Sequence, residues 1–350
     1  VPTYLSFIAE GKDAQAIEVI RRDNPLPWVC GLVCTRPCEM MCVRARIDTP
    51  VSIKFLKAFA AERAMSDRAY INPVKKDFNG KKICVVGAGP GGLSAAYYLA
   101  LMGYGVKIIE ALPVAGGMLM VGIPRYRLPR EVIDREVATI EELGVEFSYN
   151  TRFGKDVTFE DLKKQGVDAF FIAIGAHKSW DLGIKGEKEF PRVFDAVKFL
   201  KDVALGDRHV PGKHVVVIGG GNVAIDAART SLRLGAQTVS IAYRRSRTQM
   251  PADIEEVEQA EEEGIEFSFL TIPKEVVGEN NVITGLDCIK AELIKKKGSD
   301  RLAPVPILGK DFTIKADAVV PAIGQNVDDD GMEAFDTMNW TRRGTIEVNH

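Results

Sequence analysis

The apolar positions of the chain form one pattern that occurs twice. Ile83-Cys84-Val85-Val86 is a short, β-branched run suited to a buried parallel strand. An Ala- and Leu-rich helical stretch follows it, and a second apolar run at 106–109 closes the unit. The pattern returns from Lys213 as KHVVVIGGGNVAIDAARTSLRLGAQTVSIAY. Upstream, residues 1–28 read as short helices with Phe7, Ile8, Ala16, Ile17, Val19 and Ile20 as apolar positions, stopped by Asn24-Pro25-Leu26-Pro27. Residues 50–70 read as an amphipathic helix, and a polar linker at 72–82 leads into the first unit. Residues 168–176 form an apolar strand ending at glycine, and 265–325 read as strands. The last of these ends in Ala322-Ile323-Gly324-Gln325, echoing Ala173-Ile174-Gly175-Ala176. Such paired turns are expected to carry the chain between two nested domains. The acidic helix at 255–263 is expected to be a solvated face.

The turns inside the two units carry the chemistry. Gly87, Gly89 and Gly92 follow the first strand at G-x-G-x-x-G spacing. In that motif the first glycine makes the turn, the second admits a pyrophosphate to the backbone, and the third lets helix pack on strand. The helix N-terminus then faces the phosphates, and Glu110 at the next strand end is placed for a ribose hydroxyl. A close-packed βαβ turn without a ligand is the alternative. The second unit has Gly219, Gly221 and Ala224, with alanine as the accepted third residue. Where the first unit ends in Glu110, the second ends in Tyr243-Arg244-Arg245, with Arg247 just beyond. A carboxylate repels a 2′-phosphate and arginines pair with it, so the first site suits FAD or NAD and the second NADPH. A solvated basic turn is the alternative there. Between the units, Gly116-Gly117, Gly122-Ile123-Pro124 and Arg127-Leu128-Pro129 form a loop that can lie along a flavin or serve as a surface crossover.

Composition changes this picture little. The 350 residues are 46% hydrophobic and 27% charged, as in an ordinary globular protein, and suffice for two or three domains. A formal charge of −2 gives no electrostatic case for nucleic acid or an anionic membrane. No apolar run of about 18 residues occurs, and residues 1–13 lack a signal pattern, so a cytoplasmic location is expected. The chain begins without Met and stops in Glu347-Val348-Asn349-His350, which reads as a strand in progress, so a fragment is expected. Of the six cysteines, Cys84 and Cys288 lie in apolar strands and read as packed thiols. Cys30, Cys34, Cys38 and Cys42 fall within thirteen residues, which argues for metal. A continuous helix would spread them over about 18 Å. Gly31 and Pro37 are therefore expected to break the helix, unless the set is shared between two clusters. The spacing favours iron–sulfur over zinc. His177, His209, His214 and His350 are scattered and receive no catalytic role, as suits hydride transfer between cofactors.

Together, CGLVCTRPCEMMC, VVGAGPGGLSAAYYLA, GGML, VGIPRYRLP, VVVIGGGNVAIDAAR, YRRSRTQMPA and AIGQ resemble the glutamate synthase small (beta) subunit family. Its relatives include the N-terminal half of dihydropyrimidine dehydrogenase and the flavin subunit of NADH-dependent ferredoxin:NADP oxidoreductase. The resemblance implies an α/β architecture of two nested Rossmann-like domains behind a helical iron–sulfur domain. It puts that domain at 1–79, an FAD domain at 80–205 and 319–350, and an NADPH domain at 206–318. NADPH would reduce FAD, and 4Fe-4S clusters would relay electrons to an acceptor subunit. Carried over by position, Gly87, Gly89, Gly92 and Glu110 match the FAD fingerprint, and Gly117, Gly122 and Arg127 the flavin-flanking loop. Gly219, Gly221, Asn222, Val223 and Ala224 match the NADPH turn, with Arg244 and Arg245 on the 2′-phosphate. Cys34 and Cys38 match ligands of one cluster and Cys42 of the other, while Cys30 matches a non-ligand in the pyrimidine-reducing relative. Three departures stand out. An upstream cysteine group is absent, Lys57 occupies a position that is usually a Gln or Glu ligand, and the glycine–aspartate motif that closes the FAD site would follow residue 350. The alternatives are a ferredoxin-linked or electron-bifurcating flavin subunit and, in another class, a non-catalytic structural subunit. A zinc-bearing disulfide reductase is disfavoured, because neither nucleotide domain has a C-x-x-C.

Overall fold

A computed structural model describes residues 1–70, 72–295, 301–327, 335, 338–341 and 345–348. Its N-terminal unit contains α1 (Pro2–Ala9), α2 (Asp13–Arg21), α3 (Pro27–Val33), α4 (Pro37–Met40) and α5 (Ile53–Ser66). Small residues let these helices approach closely. Ala60, Ala61 and Ala64 of α5 are buried against Ala16, Ile17 and Ile20 of α2. Gly31 is not the helix breaker expected from the sequence. It lies inside α3, where a Cβ would come 2.7 Å from the Ala58 backbone of α5. The break falls at Cys34 to Arg36, where Arg36 is left-handed at φ 61° and Pro37 starts α4 at the position that suits proline.

The first βαβ unit comprises β1 (Lys82–Val86), α6 (Pro90–Leu101), β2 (Gly105–Ile109), α7 (Met118–Val121), α8 (Arg130–Glu141), β3 (Glu146–Ser148), α9 (Phe159–Lys164) and β4 (Ala169–Ile172). Its sheet is parallel in the order β3-β2-β1-β4. Both faces are covered, as parallel sheets require. Val85 and Ile108 meet Leu93, Tyr97, Ile133 and Ile140 of the helices. Cys84, Val86 and Ile109 point the other way, into Phe153, Leu162 and Phe335. Cys84 is thus a packed thiol, as expected.

The second unit comprises β5 (Lys178–Ser179), α10 (Ala196–Ala204), β6 (His214–Ile218), α11 (Asn222–Arg233), β7 (Thr238–Tyr243), α12 (Ile254–Glu262), β8 (Glu266–Phe269), β9 (Thr271–Glu279), β10 (Val282–Ile294), β11 (Ala303–Lys315), β12 (Ala318–Pro321) and β13 (Gln325–Asn326). A parallel sheet, β12-β6-β7-β8, has α10, α11 and α12 on one face. The antiparallel sheet β11-β10-β9 covers the other, where Cys288 is buried.

The expected boundaries shift. Ala196, Phe199 and Leu200 of α10 pack into the second unit's core although they precede residue 206. β12, expected to reopen the first unit at 319, pairs with β6 instead. The echoing strands end alike because each seals the glycine turn of its own unit. A Cβ on Gly87 would strike the Ala173 carbonyl, and one on Gly219 the Ala322 carbonyl. The chain crosses between units just afterwards, where β5 and β13 pair antiparallel. Near the C-terminus Ile346 bridges to Trp340, and Asn349 and His350 lie outside the described residues.

Candidate functional site

Each βαβ unit opens a cavity at the C-terminal ends of its strands, where parallel α/β sheets bind ligands. The first holds about 390 Å³ and is lined by Gly87, Gly89, Glu110 and Gly117, with Arg152, His177 and Lys201 at its walls. Gly87 has φ +105°, a conformation that side chains rarely adopt. A Cβ on Gly117 would come 2.7 Å from the Gly89 Cα, so two backbones approach here with nothing between them. The Glu110 carboxylate is buried and fixed by the N–H groups of Ala88 at 2.7 Å and Leu112 at 2.8 Å. It faces the cavity already oriented. Gly92 lies off the lining and against the Gly87 carbonyl, as its packing role requires.

Two expected flavin neighbours are elsewhere. Gly122 ends α7 against Met118 and does not line the cavity. Arg127 points to the second unit, where it pairs with Asp226 of α11 at 2.7 Å and Glu256 of α12 at 2.8 Å. Burial pushes the Asp226 carboxyl up to about 6, against the pull of Arg127.

The second cavity, about 610 Å³, is lined by Gly219, Gly221, Asn222, Val223, Arg244 and Arg245, among others. Ala224 is fully buried behind the turn, so its role is packing. Arg244 is exposed, while Arg245 is buried and its Nε–H donates to the Leu302 carbonyl at 3.1 Å. Arg247 turns away to pair with Glu261. The acidic helix at 255–263 keeps Glu258, Gln259, Glu261 and Glu262 exposed, as expected of a solvated face, while its other side is a set of partners. Glu255 meets Arg36, Glu256 meets Arg127 and Arg229, and Glu263 meets Arg229 and Arg233. Both cavities fit a dinucleotide: bare backbone lines the turns, with Glu110 at the first cavity and Arg244 and Arg245 at the second.

Residues 81–350 match the family model for pyridine nucleotide-disulphide oxidoreductase. The chain belongs to that family. Residues 1–69 match dihydropyrimidine dehydrogenase domain II, 4Fe-4S cluster. The oxidoreductase is 44% identical over 333 residues to NADPH-Fe(3+) oxidoreductase subunit beta of Geobacter sulfurreducens, covering 94% of this chain and 49% of that one. It is 42% identical over 373 residues to NADP(+)-dependent formate dehydrogenase subunit beta of Moorella thermoacetica, covering 100% and 52%. To the glutamate synthase [NADPH] small chain of Azospirillum brasilense it is 34% identical over 367 residues, covering 100% and 75%. The chain therefore spans about half the length of the first two relatives. Among solved structures, Mycobacterium tuberculosis FprA in complex with NADPH aligns with a TM-score of 0.64 at 21% identity, covering 77% of this chain and 75% of that one. Thioredoxin reductase of T. acidophilum gives 0.54 at 20% identity, covering 77% and 85%. These two share the fold. The family's relatives are NADPH-dependent oxidoreductase subunits, and FAD, NADPH and a 4Fe-4S centre are the cofactors of its domains.

The oxidoreductase holds its cysteine segment against both nucleotide units. Glu136 of α8 is fully buried and accepts from the N–H groups of Trp28 at 2.7 Å and Val29 at 3.1 Å, capping α3, and from the Tyr70 hydroxyl at 2.8 Å. Burial pushes its carboxyl up to about 7 against those bonds. Arg36 pairs with Asp253 and Glu255 of the second unit. All four clustered thiols are free, and burial raises the Cys30 thiol while nearby Lys57 lowers it. Among the described residues no three His, Cys, Asp or Glu side chains are arranged to hold a metal. Free thiols suit an iron–sulfur centre, but the described residues do not assemble its shell.

Sequence reasoning missed Glu136 and three cavity residues, Arg152, His177 and Lys201. His177 follows the strand-to-glycine turn by two positions, a local signal that could have placed it.

Proposed function

We propose that this chain is the NADPH-oxidising, flavin-bearing input subunit of a multisubunit oxidoreductase, passing electrons to an acceptor on a partner. The meeting of the two cavities at the crossover ribbon carries this reading. His177 lines the first cavity and Ser179 the second, while Gln325 lines the second and Val327 the first. Two residues of extended chain span about 7 Å, so the cavities adjoin. Bound there, FAD and NADPH would supply a hydride acceptor and donor. The chain's own residues orient them. Glu110 would hold a ribose hydroxyl, the N-termini of α6 and α11 would face pyrophosphates, and Arg244 with Arg245 would select the 2′-phosphate.

The glutamate synthase small-chain type remains one reading of the acceptor. Higher identity to the two β subunits, at 44% and 42% against 34%, favours a metal- or formate-linked redox complex. A cytoplasmic location is part of this reading; no helix among the described residues is long and apolar enough to cross a membrane. The test is an anaerobic titration of the holoprotein with NADPH, with iron, zinc and flavin quantified. Flavin bleaching together with loss of cluster absorption is expected. A flavin that NADPH does not bleach would favour a structural subunit.

A further inference from the structure

We propose that Arg301 is a further specificity residue of the second cavity, a cation for the 2′-phosphate delivered by the segment that leads into the antiparallel sheet and held in place by Arg245. The inference rests on the reading of that cavity as the NADPH site. Among the described residues lining the cavity three are charged, Arg244, Arg245 and Arg301, and no carboxylate is among those described. The first cavity is lined by Glu110 as well as by cations. A wall charged with one sign and enclosed by low-dielectric protein raises the local potential for a dianion.

Position within the cavity follows from the hydrogen bonds around Arg245. Its Nε–H donates to the carbonyl of Leu302, the residue next to Arg301, at 3.1 Å. Its own carbonyl accepts from Leu270 N–H at 3.0 Å, and the Leu270 carbonyl accepts from Ala291 N–H at 2.8 Å. Arg245 is thus fastened to Leu270 just before β9, through Leu270 to β10, and directly to the residue just before β11. The start of β11 is thereby pinned to the end of β7, where the βαβ unit reads the ribose. Arg245 is 8% exposed and spends one donor on this bond, whereas Arg244 is exposed. The roles divide accordingly. Arg244 and Arg301 contact the phosphate, and Arg245 acts mainly as a positioning residue.

The test measures dissociation constants of NADP⁺ and NAD⁺ for the full chain by calorimetry, so no turnover is needed. Arg301→Ala should weaken NADP⁺ about tenfold and leave NAD⁺ within about twofold, and Arg301→Lys should restore part of the loss. The slope of log Kd against log salt for NADP⁺ should fall. Arg245→Ala should also cost NADP⁺ selectively. The Arg245→Ala, Arg301→Ala double variant should lose less than the two singles combined, because one residue acts through the other. Equal losses for both nucleotides, or none, in Arg301→Ala would overturn the assignment. Arg244→Ala separates the two levels. If it is selective while Arg301→Ala is not, only this inference falls, and if it too is unselective, the NADPH reading falls with it.

Discussion

Arg127→Ala gives a result that can be worked out in advance. Asp226 has a folded value near 6 against 3.8 when solvated. Its value is raised, so its contribution to stability is greatest below the unfolded value and is lost as pH rises through about 6. At pH 7 the ionised, buried group already costs about 3 kcal/mol, even with Arg127 beside it. Removing Arg127 raises the value further, but the added penalty has a ceiling. The carboxyl can always take up a proton, and at pH 7 that costs about 4 kcal/mol in total. The electrostatic loss through Asp226 is therefore only about 1 kcal/mol at pH 7. At pH 5, where the carboxyl is already protonated, it is close to zero. Lost packing and the lost ion pair with Glu256 add about 2 kcal/mol at either pH. Unfolding of wild type and Arg127→Ala should be followed at both pH values, each also in an Asp226→Asn background. The variant should lose about 3 kcal/mol at pH 7 and about 2 at pH 5, with no pH dependence in the Asn background. An equal loss at both pH values, or a pH dependence that survives Asp226→Asn, would refute the assignment.

Glu136 obeys the same sign. Its value near 7 lies above the ordinary 4.5, so the stability it provides is present in acid and lost as pH rises through 7. Urea melts of Glu136→Gln should show a flatter profile across that window than wild type. Glu110→Ala orphans the amides of Ala88 and Leu112, at about 1–3 kcal/mol each, and would remove the proposed ribose contact. Its flavin-to-protein ratio after desalting should drop, and a fully flavinated variant would remove that role. Arg36→Gly keeps the left-handed backbone comfortable but deletes the pairs to Asp253 and Glu255. Amide exchange at 34–42 should rise by about tenfold or more, and unchanged protection would mean that the pairs hold nothing.

What the sequence revealed follows one physical line. Gly87, Gly92 and Glu110 lie within the first βαβ unit and Gly219 and Arg244 within the second, and inside each unit spacing along the chain determines position in space. Arg127 belongs to an equally recognisable loop, yet its partner lies 99 residues away on the second unit, and local spacing has no access to that. Arg301 stands outside the motif, two residues before β11, and the backbone beside it is held by Arg245 of the second unit. Gly31 was misread because one glycine can serve a break or a close approach, and only Ala58 on another helix decides between them. The two Ala-Ile-Gly turns were recognised as a pair, but pairing across the sheet decided that the second closes its own unit.

The acidic helix explains why the two cavities stay adjoining. Asp253 caps α12 by accepting from Glu255 N–H, and its own N–H donates at 2.9 Å to the side chain of Asn222, the first residue after the second glycine turn. Arg36 of the cysteine segment grips Asp253 and Glu255, Arg127 of the first unit grips Glu256 and Asp226, and Arg229 holds Glu256 and Glu263 from within. A rotation of the second unit about the β5–β13 ribbon would break the Arg36 and Arg127 contacts together. The Arg127 contacts are largely withdrawn from water, whereas Glu255 in the Arg36 pair is 42% exposed, and separating a buried pair leaves charges uncompensated at about 3–5 kcal/mol. The acids of α12 therefore act as a lock between units. Their pairing holds the glycine turn, the ribbon and the cysteine segment in one arrangement, which keeps the two dinucleotide cavities adjoining.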